Sequence, residues 1–95
     1  MSQKVEKAFV VASELGLHAR PAGEFANLAG RYDAEVEVSR GGEWVSGCSV
    51  LSLLSLAASQ GTSLRVRAEG PDAAAAVDAL GVLIERREPP PPGGS

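Results

Sequence analysis

Ala34-Glu35-Val36-Glu37-Val38-Ser39-Arg40-Gly41-Gly42-Glu43-Trp44-Val45 is the stretch on which the fold turns. Up to Arg40 polar and apolar residues alternate, so Val36 and Val38 are expected to face a core while Glu35, Glu37 and Ser39 face water. Gly41-Gly42 offers the positive backbone dihedrals of a tight hairpin, and Glu43-Trp44-Val45 starts the returning strand. Strands with one wet face belong to an antiparallel sheet that is covered on a single side.

The flanking segments supply the cover. Upstream, residues 4 to 12 carry Val5, Phe9, Val10 and Val11 and suit an opening strand. Ala22, Phe25, Ala26 and Ala29 then recur at helical spacing, with Gly30 as the closing cap. Downstream, Val50 to Ser59 suits a short second helix, and Thr62 to Ala68 alternates again with Leu64, Val66 and Ala68 facing inward. Gly70-Pro71-Asp72 opens a last helix running to about Arg87, where Arg86 and Arg87 suit the negative end of the dipole. Its stripe is Ala76, Val77, Leu80, Leu83 and Ile84. The order βαββαβα predicts an α+β open-faced two-layer sandwich, a four-stranded antiparallel sheet covered on one face by three helices. One domain is expected over residues 1–88, and Pro89 to Ser95, all Pro, Gly and Ser, is expected to be a disordered or polyproline-like tail.

Composition narrows the function classes. Only 4% of the 95 residues are aromatic, so Val, Leu, Ile and Ala must build a thin core, and a deep substrate cavity is not expected. A net charge of -3 with no Lys/Arg run of five argues against a nucleic-acid partner. Cys48 is the single cysteine, which rules out an internal disulfide, and His18 is the single histidine, so no spaced ligand set for a metal exists. No cofactor is expected. The apolar stretch from Ala8 to Ala12 is shorter than a signal-peptide core or a membrane span, which points to a soluble cytoplasmic protein without a membrane partner.

His18 stands between Gly16 and the apolar stripe that begins at Ala22, where the first helix should start. The first N–H groups of a helix lack internal partners and form an anion site. Pro21 fits the first turn because it has no N–H to lose there. Arg20 brings forked donors matched to phosphate oxygens. A neutral imidazole nitrogen beside such a site can attack phosphorus and carry a covalent phosphoryl group. The plainer readings are a surface or capping histidine and a solvated arginine, or a module that binds a small anion without covalent chemistry.

Gly16-Leu17-His18-Ala19-Arg20-Pro21-Ala22 resembles the phosphorylation-site motif of the HPr family. The likeness spans roughly residues 4 to 87, and Leu54-Ser55-Leu56 with Gln60-Gly61 resembles the family's second helix and exit turn. The resemblance implies a phosphocarrier that accepts a phosphoryl group from the phosphohistidine of Enzyme I and passes it to IIA units of the sugar phosphotransferase system. It implies that His18 is phosphorylated on Nδ1, and that Arg20 and the backbone N–H groups of Ala19 and Arg20 steady the group. Such a protein is a stoichiometric carrier, a monomer with small docking surfaces, and not a catalyst with its own substrate. A member of a nitrogen-related or purely regulatory branch is the alternative.

By the same resemblance Ser49 matches a serine that an HPr kinase/phosphorylase modifies in many bacteria. From the residues alone Ser49 is an N-cap worth about 1 kcal/mol. The second helix is apolar around more of its circumference than one buried stripe needs, so Val50, Leu51 and Leu54 are expected to form a docking patch for partners beside His18, as the corresponding helix does in the family. Two departures stand out: Leu15 precedes the glycine where many members have a small polar residue, and Gly23 should weaken the first helix by about 1 kcal/mol relative to alanine.

Overall fold

The computed structural model describes residues 3–87. Seven elements follow one another: β1 (Gln3–Val10), α1 (Ala19–Ala29), β2 (Glu35–Ser39), β3 (Trp44–Ser46), α2 (Val50–Ser55), β4 (Ser63–Gly70) and α3 (Ala73–Ile84). The sheet runs β1-β4-β2-β3 with every neighbouring pair antiparallel. The expected fold class and element order are therefore present. The proline-containing segment 89–95 lies outside the described residues.

Alternation sets the layers. Val36 lies opposite Ala68 and Val38 opposite Val66, and these four side chains are buried beneath the helices with Leu64, Phe25, Leu53, Val77 and Leu80. α3 lies close on β1 because residue 81 is glycine: a Cβ there would overlap the Phe9 ring. The other face carries polar pairs. Glu6 binds Arg65, and Arg67 donates through Nε to Glu37 Oε1 at 2.9 Å.

Four details depart from expectation. Ser39, expected in water, is only 2% exposed. It does sit on the polar face, but its register neighbours are Trp44 and Arg65, and the Trp44 ring reaches across it to stack 3.8 Å from the Arg67 guanidinium carbon. Its hydroxyl turns into the hairpin, accepting from Gly41 N–H and donating to the Gly42 carbonyl. Of the two hairpin glycines only Gly41 has positive φ, +104°.

α2 stops at Ser55 instead of Ser59, and Ala57 adopts φ +49°. The carbonyls just past its end are bound from elsewhere in the chain: Arg40 Nη1 donates to Leu56 O at 3.1 Å and Ala57 O at 3.2 Å. α3 ends at Ile84, so Arg86 and Arg87 lie beyond its last turn and pair with Glu24 and Glu14 instead of the helix dipole.

Candidate functional site

The stretch from Ser13 to Ala22 places the histidine. Gly16 N–H donates to Ser13 O at 3.0 Å, closing a turn, and Leu17 N–H donates to Ala58 O at 2.8 Å, tying that turn to the chain leaving α2. Gly16 is required there twice over. Its φ is +72°, and a Cβ would stand 2.9 Å from Ser59 Cα and nearer still to Ala58 O. Leu17 is buried beside it and anchors the segment in the core.

His18 occupies the N-cap of α1 with extended backbone, and its carbonyl accepts the first helical bond, from Ala22 N–H at 3.0 Å. The imidazole is half-buried, and its side chain does not cap the helix. The N–H groups of Ala19 and Arg20 are the first two of α1, and helical geometry gives such groups no partner within the helix. Pro21, the third helical residue, has none to satisfy. An imidazole and two backbone donors thus share the positive end of an eleven-residue helix, and Arg20 in the same first turn carries a largely exposed side chain.

Arg20 is not isolated. Its Nε lies 3.9 Å from Glu24 Oε1, and Glu24 Oε2 accepts from Arg86 Nη2 at 2.7 Å. Arg86 also lines a small cavity with Gly16, Leu17, Pro21 and Leu83. No sequence pattern announced Glu24 and Arg86 as partners, since they are 62 residues apart and only the packing of α1 against α3 joins them.

Ser49 is the N-cap of α2, accepting from Ser52 N–H at 3.2 Å. Of the apolar residues that follow, Leu51 is 80% exposed and Val50 37%, while Leu54 is half-buried against the core and Leu53 wholly buried. The helix is therefore sunk on its Leu53 side and bare at Leu51. Leu15, 70% exposed and one residue before Gly16, adds an apolar side chain in the histidine loop itself. Its signal in the sequence was an apolar residue in a turn. Among the described residues no cluster of three His, Cys, Asp or Glu side chains could hold a metal, and no helix is long and apolar enough to cross a membrane.

The family model described as "PTS HPr component phosphorylation site" matches residues 5–86. The chain belongs to the HPr family of phosphocarriers. A phosphocarrier protein NPr from Shewanella violacea is 38% identical over 84 residues, covering 88% of this chain and 92% of the relative. A phosphocarrier protein HPr from Pseudomonas aeruginosa is 42% identical over 78 residues, covering 81% and 87%. Among solved structures, a phosphocarrier protein HPr from Bacillus anthracis superposes with TM-score 0.82 at 33% identity, covering 85% of this chain and 96% of that one. The open sandwich built above is thus an HPr fold.

Proposed function

We propose that His18 is the phosphoryl acceptor of this HPr-family chain, charged by the phosphohistidine of Enzyme I and discharged to IIA-type components. The observation that carries this is the place of the imidazole at the N-cap of α1, beside the N–H groups of Ala19 and Arg20. In the step, a lone pair of the neutral His18 ring attacks phosphorus, the donor's N–P bond breaks, and its electron pair stays on the donor ring. Arg20 and the two amides hold the phosphoryl oxygens.

On this reading the chain is a stoichiometric carrier and works as a cytoplasmic monomer. Val50, Leu51 and Leu54, on and beside the bare side of α2, form the surface that docks each partner and releases it after transfer. Ser49 is a second phosphorylation site, for a kinase of the HPr kinase/phosphorylase type. A phosphate there adds negative charge at the edge of the docking surface.

Incubation with phosphoenolpyruvate and Enzyme I, followed by phosphorus NMR, is expected to show one acid-labile phosphoramidate that His18→Ala abolishes. No such signal on wild-type protein would sink the proposal. The NPr-named relative favours a second reading, in which the same relay serves regulation instead of sugar transport. Transfer rates from the Enzyme I of each type decide between them, since the correct donor is expected to charge His18 the faster.

A further inference from the structure

Glu24 is shared between two guanidiniums that come from opposite ends of the chain. Its contact with Arg86 has the length of a charge-assisted hydrogen bond, 2.7 Å, whereas Arg20 Nε stands off at 3.9 Å. Arg86 reaches this position because α3 ends at Ile84 and the chain beyond runs beside the first turn of α1, where Arg86 shares a small cavity with Gly16, Leu17 and Pro21. The two demands on Arg20 point in opposite directions. Glu24 lies one turn toward the C-terminus of α1, and the amides of Ala19 and Arg20 open at its N-terminus.

We propose that Glu24 is a positioning residue for Arg20, with Arg86 setting how strongly it acts. This rests on the reading of His18 as phosphoryl acceptor. By neutralising Glu24, Arg86 keeps the hold on Arg20 loose, so that Arg20 can turn to an oxyanion carried on His18. Remove Arg86, and the bare carboxylate draws Arg20 down the helix and repels the incoming dianion. Remove the Glu24 charge, and Arg20 is unopposed. The two changes act with opposite sign, which a shared loss of packing would not produce.

The test measures the equilibrium constant for phosphoryl exchange with Enzyme I, by phosphorus NMR, for the wild type, Glu24→Gln, Arg86→Ala, Arg86→Lys and the Glu24→Gln/Arg86→Ala pair. Glu24→Gln is expected to favour the phosphorylated form about twofold and Arg86→Ala to disfavour it about twofold, the scale of an exposed pair one helical turn apart. The double variant should match Glu24→Gln, and Arg86→Lys should match the wild type. Thermal unfolding of each variant reports whether the fold is kept. Single changes of the same sign, no change in either, or an Arg86→Ala effect that persists in the Glu24→Gln background would overturn the proposal. Failure of the wild type to take up phosphate would instead overturn the assignment of His18.

Discussion

Replacing Gly16 with alanine puts a Cβ where the backbone of Ala58 and Ser59 already stands, and where φ is +72°. Neither obstacle is a side-chain tip that can swing aside. The left-handed conformation costs an L-residue about 1–2 kcal/mol. Relieving the overlap must lengthen the 2.8 Å bond from Leu17 N–H to Ala58 O, whose loss costs about 1 kcal/mol. The expected destabilisation is about 2–3 kcal/mol. With a urea slope of about 1 kcal/mol/M for so small a chain, the unfolding midpoint falls by about 2–3 M. Trp44, the single tryptophan, provides the fluorescence signal. In conditions where the variant is still folded, phosphorylation by Enzyme I should slow, because His18 is two residues from the displaced glycine and its helix mouth moves with it. A midpoint within about 0.5 M of wild type, together with an unchanged phosphorylation rate, would show that the histidine loop is not pressed against the exit of α2.

Two other substitutions probe separate parts of the site. Gly23→Ala meets open space in the middle of α1 and should stabilise the fold by about 0.5–1 kcal/mol, raising the urea midpoint without changing transfer. Leu51→Asp, at a position 80% exposed, should leave the stability within about 0.5 kcal/mol of wild type and slow transfer from Enzyme I; an unchanged rate would remove Leu51 from the docking surface.

Much of the fold was legible because β2 and β4 alternate strictly and the α1 stripe has a clean helical period, so pattern and burial agree at Val36, Val38, Leu64, Val66 and Phe25. The place of His18 was legible for a local reason, a lone histidine between a glycine break and a proline-bearing first turn. What escaped depends on residues distant in the chain. Ser39 is covered by a tryptophan five positions on, a contact that depends on the hairpin register, and α2 ends early where Arg40 binds the carbonyls of Leu56 and Ala57 just beyond it. Arg86 was read against the dipole of its own helix, whereas its partner Glu24 belongs to α1. Periodicity describes one element at a time and carries no information about such meetings.

The layering of Trp44 over Arg67 on the side of the sheet opposite the helices has a practical corollary. A solvent-facing chromophore held by cross-strand stacking is insulated by a full sheet thickness from events at the helix mouth. Its emission should therefore track the integrity of the sheet while staying blind to charging and partner encounter. A second dye placed near Leu51 would then give two optical channels in one molecule, one for folding and one for traffic.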